Sequence, residues 1–275
     1  MVVKHVIMDT KTSHPRGWNT DFSTKRKIRS YEVERCWYEH WSKKCKTSRV
    51  AKCHATHADG SESLIVLEDL DASGFAARFQ SLDKHSAAVC LKWLARFHGF
   101  FLGSAPDGLW PTGTYWHLGT RPDEFAAMPD SQLKTYAHLM DDTLSKCTFQ
   151  TLVHGDAKVA NFCFSPKKEK VAVVDFQYVG KGCGMKDVAY FLGSCLDEEA
   201  CGRLAPALLD VYFDELKKHI KDKNVDKEAL ELEWRRLYPV AWTDFYRFLA
   251  GWMPTHSKIH DYTKEQAKKT FSILS

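Results

Sequence analysis

The stretch His154-Gly155-Asp156-Ala157-Lys158-Val159-Ala160-Asn161 follows the short apolar run Thr151-Leu152-Val153. Fourteen residues after Asn161 comes Asp175-Phe176-Gln177, directly behind Val171-Ala172-Val173-Val174. The first segment has the form H-x-D-x-x-x-x-N. Both apolar runs read as β-strands that end in polar clusters. Joined as a hairpin, the two strands would set Asp156, Asn161 and Asp175 around one point. Turn chemistry accounts for any one of these residues, because Asp, Asn and Gly commonly follow strands. It does not account for the fixed spacing, the two acidic strand ends and the preceding His together.

Phosphoryl transfer from a nucleotide needs such a set. One carboxylate must orient an acceptor hydroxyl and take its proton, and oxygen ligands must hold metal against the phosphates, over whose oxygens charge spreads. Mg²⁺ prefers hard oxygen donors and keeps waters, so one Asp and one Asn suffice as protein ligands.

Outward from this centre, the chain divides by texture. Val2-Val3-Lys4-His5-Val6-Ile7-Met8 alternates and is β-branched, a strand. Residues 14–21 are turn-rich, and a helix is expected from Ser23-Thr24 through Trp41. A strand pair follows, residues 50–56 and 64–70, with its turn at 58–61. Beyond Gly74 helices dominate, expected over 86–102, 131–145, 186–196, 199–221, 226–250 and 263–274, with a Gly- and Pro-rich loop over 104–122. The pattern predicts an α+β fold of two lobes: a strand-rich one over residues 1–71 and a larger helical one over 72–275, with a cleft between them.

Composition bounds the partners. The chain has 275 residues, 44% apolar and 27% charged, which is ordinary for a globular protein. A net charge of +4 permits an anionic ligand such as a nucleotide but is no nucleic-acid footprint. No run approaches the roughly 18 apolar residues of a membrane span. The opening residues lack a secretory h-region, and nine scattered cysteines read as reduced thiols, so a cytoplasmic protein is expected. Cys45, Cys53, His54 and His57 contain no CxxC element and read as surface and core residues rather than a zinc site.

Residues 154–193 resemble the aminoglycoside phosphotransferase and choline kinase superfamily, and within it the ecdysteroid-kinase-like, or CHK-kinase-like, branch. The resembling segments run in order from Val3-Lys4-His5-Val6 through Glu34-Arg35-Cys36-Trp37-Tyr38, Leu67-Glu68-Asp69-Leu70, Leu94-Ala95-Arg96-Phe97-His98-Gly99, the HGDAKVAN loop and VVDFQ to Lys186-Asp187-Val188-Ala189-Tyr190-Phe191-Leu192. The resemblance implies a two-lobed protein-kinase-like fold and an ATP- and Mg²⁺-dependent transfer to a small-molecule hydroxyl. It implies Asp156 as catalytic base, Asn161 and Asp175 as metal ligands, and Lys158 beside the transferring phosphoryl. Lys4 matches the lysine that meets the α- and β-phosphates. Glu34 matches the helix glutamate that orients it, with Glu32 as the competing candidate. Glu68, Asp69 and Leu70 match the hinge whose backbone receives adenine. His154 is expected to bond the loop backbone. Asp187 is expected to cap its helix and steady the catalytic loop.

A protein kinase fits worse. The metal loop reads DFQ, no A-P-E follows, and about a dozen residues between Asp175 and Asp187 leave no room for an activation segment. The plain alternatives are a surface lysine at Lys4 and a solvated Glu34. Trp234, Tyr238, Trp242, Phe245, Tyr246 and Trp252, with Glu233 and Asp244 among them, read as an aromatic core rather than a cation box. No glycine precedes Gly17 and three residues precede Lys4. The expectation is therefore a small lobe shortened at its start, lacking the glycine-rich loop and binding nucleotide weakly. The alternative function is a catalytically impaired kinase-fold binding protein.

Overall fold

The computed structural model describes residues 1–7, 21–60 and 62–275. Strands β1 (Val2–Ile7), β2 (Cys53–Asp59) and β3 (Glu62–Leu67) form an antiparallel sheet in the order β1-β3-β2. Alternation decides which side chains face inward. Lys4 lies opposite Ile65 and Val6 opposite Ser63, and these positions share the buried face, while Val3 and Ile7 are 57% and 62% exposed.

Helix α1 (Asp21–Cys36) continues through a π-helical turn, Trp37–Trp41, and a short 3₁₀ turn, Ser42–Lys44. Its buried residues Ser30, Val33, Glu34, Trp37, Tyr38 and Trp41 recur at three- and four-residue intervals, one face of a helix. That face docks on the helical lobe. Trp37 stacks on Phe176 with centroids 4.4 Å apart, and Trp41 meets Phe101 edge-on.

The helical lobe is built from α2 (Lys84–Phe101), α3 (Pro122–Ala126), α4 (Gln132–Thr135), α5 (Ala137–Ser145), α6 (Met185–Cys195), α7 (Glu198–His219), α8 (Lys227–Trp252) and α9 (Asp261–Leu274). Its long helices start on side-chain caps. Asp83 accepts from the Ser86 N–H, Asp197 from Ala200, and Asp226 from Glu228 and Ala229. α2 and α7 cross closely at Gly99, where a Cβ would stand 3.0 Å from the His219 backbone. The helix expected over 131–145 is interrupted at Tyr136, and the one expected through Trp41 ends in the π turn.

Two further pairs place the loops. β4 (Thr151–Val153) pairs with β7 (Gly180–Gly182), and β5 (Phe162–Phe164) pairs with β6 (Val171–Val173). The hairpin expected between residues 151–153 and 171–174 is thus corrected. Each of those strands takes a partner of three residues too short and too Gly- or Phe-rich to show an alternating pattern. Residues 50–52 likewise do not extend β2. Val50 bridges to Val173, and the Val173 N–H donates to Arg49 O at 3.1 Å. The start of the expected strand therefore serves the other lobe. Met8, residues 14–20 and Ser61, which carry the end of the first strand, most of the expected turn and the end of the hairpin turn, lie outside the described residues. Among the described residues no helix is long and apolar enough to cross a membrane.

Candidate active site

β4 delivers the chain into residues 154–161. Gly155 has φ +81°, and a Cβ there would stand 2.0 Å from Tyr178 O, so both conformation and space require glycine. Asp187 holds this turn. Its carboxylate accepts the His154 N–H at 2.5 Å and the Gly155 N–H at 2.9 Å, and receives His98 Nε2 at 3.1 Å. The other nitrogen of His98 lies 2.7 Å from the Tyr212 hydroxyl. The expectation that Asp187 caps its helix is corrected: it lies in the first turn of α6, whose cap position is Gly184 with no side-chain bond. Its oxygens are committed to the loop and to His98 instead. His154 bonds backbone at both nitrogens, Nε2 to Val174 O and Nδ1 to the Asp156 N–H. Lower down, Ser194 Oγ accepts the Val159 N–H at 2.8 Å.

Asp156 is therefore presented by a tied backbone. Its Oδ2 receives Lys158 Nζ at 2.8 Å and Asn161 Nδ2 at 3.2 Å. Burial pushes its carboxyl above the usual range; Lys158 opposes this and the Asp175 carboxylate adds to it. The hairpin of β5 and β6 sets Asn161 beside Asp175, with the Val174 N–H donating to Asn161 O at 3.1 Å. Asp175 itself stands at φ +69°, in the left-handed region that a non-glycine residue occupies at a cost. Oδ1 of Asp156 and Oδ1 of Asp175 are buried without a hydrogen-bond partner. Buried carboxylate oxygens without donors fit a cation. Asn161 commits its amide nitrogen to Asp156, so its carbonyl oxygen is the atom it has left to offer. Among the described residues no cluster of three or more His, Cys, Asp or Glu forms. The donor set here is two carboxylates and one amide, hard oxygens that suit Mg²⁺ rather than zinc.

Across the cleft, Lys4 Nζ meets Glu34 Oε2 at 2.5 Å, while Glu32 turns outward to Arg29 at 3.2 Å. Burial raises the Glu34 carboxyl, and Lys4 pulls it back down. Glu68 is held from behind. Its carboxylate binds Arg49 at 2.5 Å and the Lys52 N–H at 3.0 Å, and its own N–H donates to Lys52 O at 2.8 Å. Partial burial works against the Glu68 charge, but Arg49, Lys52 and Ser73 outweigh it and bring the carboxyl down to about 2. The carbonyls of Asp69 and Leu70 accept from Ser73 and Phe75. Among the described residues, the Glu68 carbonyl and the Leu70 N–H are left without backbone partners.

A cavity of about 440 Å³ brings together Lys4, Glu34, Glu68, Asp69, Leu70, Asn161 and Asp175. Asp156 and Lys158 are not in its lining and join it through Asn161. Pattern reading gave no role to His98, Ser194 or Tyr190. His98 had a signal: a polar residue on the apolar face of α2 between Leu94 and Phe101 must find partners when buried. Tyr190 is buried near Asp156, whose charge adds to burial in raising the phenol. Of the residues read as an aromatic core, Trp234, Tyr238 and Trp242 are buried in the main core, and Phe245 is buried in a second cluster against which Trp252 packs. Glu233 accepts the Thr148 and Phe149 N–H groups, and Asp244 pairs with Arg247.

The arrangement is that of the kinase-like fold of small-molecule kinases. Amicoumacin kinase hAmiN, solved in complex with AMP-PNP, Ca²⁺ and Ami, is similar over 99% of this chain and 80% of its own, with a TM-score of 0.51 at 14% identity. The choline kinase LicA from Streptococcus pneumoniae is similar over 92% of this chain and 82% of its own, with a TM-score of 0.51 at 14% identity. No curated protein sequence matches. The chain belongs to the ecdysteroid kinase-like family, whose profile matches residues 30–102 and 114–225. That match takes in Glu34, residues 68–70, the HGDAKVAN loop and Asp175.

Proposed function

We propose that this chain transfers the γ-phosphoryl group of ATP to a hydroxyl of a small molecule, with Mg²⁺. The observation that carries this reading is the single cavity shared by Lys4, Glu34, residues 68–70, Asn161 and Asp175, with Asp156 one hydrogen bond away. In the transfer an acceptor O–P bond forms, the bond between the γ-phosphorus and the bridging oxygen breaks, and ADP leaves. Asp156 orients the acceptor hydroxyl and takes its proton. Lys4, held by Glu34, meets the α- and β-phosphates. The Glu68 carbonyl and Leu70 N–H face the adenine edge, with Asp69 between them. Asn161 and Asp175 hold the metal, which when bound neutralises charge on the phosphate oxygens. Lys158 stands beside Asp156 to meet the transferring group.

The lobe division at residues 71 and 72 follows from the same roles, nucleotide on one side and chemistry on the other. A small acceptor is favoured by the short path from Asp175 to α6, part of which is tied down as β7. All nine cysteines are free thiols, which supports a reducing compartment such as the cytoplasm.

The test is a nucleotide-consumption screen against a metabolite library, run on the wild type and Asp156→Asn at varied Mg²⁺. The expected result is Mg²⁺-dependent turnover with some hydroxyl compound, reduced by about 10²-fold or more in the variant, the scale of a lost positioned base. Turnover of Asp156→Asn at the wild-type rate overturns the assignment.

A further inference from the structure

A second cavity stands apart from the one between Lys4 and Asp175. It lies behind the hinge segment, has a volume of about 810 Å³, and falls within the roughly 300–1,000 Å³ of small-molecule sites. Its floor is apolar. Trp93 is stacked on Phe97 at 5.2 Å and fixed by a hydrogen bond from Nε1 to Arg49 O at 2.9 Å. Its rim is cationic: Lys43, Lys46, Lys52 and Lys170 line it, and none of them has an ion-pair partner among the described residues. Glu169 is the lone carboxylate of the lining. Two further cations face it already committed, Arg96 to Glu215 and Arg49 to Glu68.

The two cavities stand back to back. Ala51 lines both of them. Residues 49–52 form a wall of the rear cavity and also clamp Glu68 through the Arg49 guanidinium, the Lys52 N–H and the Lys52 carbonyl. The wall is anchored to the helical lobe as well, because Arg49 O also accepts from Val173 and the Ser48 hydroxyl donates to Trp93 O. The site is therefore preformed rather than a gap between mobile parts.

The geometry points to a second ligand site in this cavity, for a small molecule with an anionic head on an apolar body, coupled to the hinge through the Arg49–Glu68 pair. The apolar body covers Trp93 and the head is met by the unpaired lysines. A head that reaches Arg49 competes with Glu68 for its guanidinium, and releasing Glu68 alters the segment that forms the edge of the front cavity. The site stands on its own geometry; only the coupling to nucleotide rests on the function proposed above.

The test titrates the full chain with 8-anilinonaphthalene-1-sulfonate, a sulfonate on an aromatic body, with and without saturating AMP-PNP and Mg²⁺. Inorganic phosphate supplies the charge alone, and octyl glucoside below its micellar concentration supplies the apolar body alone. The expected result is one saturable site that neither competitor empties by itself and that AMP-PNP does not displace. The double variant Lys46→Glu, Lys170→Glu weakens it about tenfold. Lys46→Gln with Lys170→Gln weakens it less, which provides a milder check should the first variant lose its near-ultraviolet circular dichroism. Probe and nucleotide shift each other's affinity by the same factor, about fivefold at least, and Arg49→Met abolishes that shift. Full displacement by AMP-PNP overturns the inference, because the probe is then in the front cavity. Unchanged affinity in both lysine variants overturns it too. A chain that binds the probe as expected but no nucleotide at all refutes the proposed function while leaving the rear site standing.

Discussion

Asp156 and Lys4 belong to different lobes and are held by different means. Asp156 stands on a loop whose backbone is bonded at His154, Gly155, Val159 and Asn161 to Asp187, Ser194 and its own turn. Asp187 is fully buried and Ser194 half-buried, so the first turn of the loop is fixed in a low-dielectric setting where each bond is strong and each missing bond costly. Lys4 stands on a strand whose alternate side chains, Val3 and His5, face outward, and among the described residues the sheet holds it through one neighbour, β3. What fixes the Lys4 ammonium is Glu34, and Glu34 is placed by α1 and the aromatic turn that follows it, whose Trp37 docks on Phe176. The small lobe thus takes its order from the large one. Disturbance of the loop is expected to be felt in both lobes, and disturbance of the outer sheet face in neither.

The largest expected effect comes from breaking the loop's anchor. Asp187→Ala leaves the His154 and Gly155 N–H groups buried without an acceptor, each at about 1–3 kcal/mol, and strands His98 as well. Thermal unfolding should show a clear loss of stability, and Asp187→Asn, which keeps one acceptor oxygen, should lose less. A melting profile equal to that of the wild type would mean the loop is held some other way.

A smaller effect separates the two residues proposed to hold the metal. Asp175→Ala should weaken Mg²⁺-dependent nucleotide binding more than Asn161→Ala, since the first removes a charge and the second an amide oxygen. Calorimetric titration of AMP-PNP with and without Mg²⁺ decides this; an Mg²⁺ response in Asp175→Ala equal to the wild type's would place the metal elsewhere.

Smaller again is a shift in pH profile. Burial holds the Asp156 carboxyl above the usual range and Lys158 restrains that rise. As the proposed base Asp156 must be ionised to act, so activity is expected to fall as pH drops and its carboxyl becomes protonated. Lys158→Met removes the restraint, and the acidic limb of kcat/KM should move to higher pH. An unmoved limb would show that Lys158 does not act on Asp156.

The smallest effect is expected on the outer face of the sheet, with the inner face as the contrast. Val3→Thr on the exposed face should change stability by less than about 0.5 kcal/mol, whereas Ile65→Ala on the buried face should cost about 2–5 kcal/mol. Chemical denaturation of both variants checks the contrast. Equal losses would mean that the outer face of β1 is covered.

How much of this was legible beforehand differs residue by residue. H-x-D-x-x-x-x-N and the following D-F-Q could be read because phosphoryl transfer demands particular atoms in short local spacing, and a loop of eight residues carries that spacing within itself. The long capped helices were legible for the same reason, since periodicity and caps are local. Three things were decided only by the tertiary structure. Strands of three residues carry no period, so the pairing of β4 with β7 and of β5 with β6 emerged only from the folded chain. Glu32 and Glu34 are equal in chemistry, and the choice between them came from which helix face docks on Phe176 and thereby turns one carboxylate inward to Lys4. Asp187 had the sequence position of a cap, yet its oxygens are satisfied by the loop and His98, more than thirty and more than eighty residues away in the chain. Local chemistry is written in neighbouring residues; which of several equivalent groups is buried, and against what, depends on long-range packing that no short window of sequence contains.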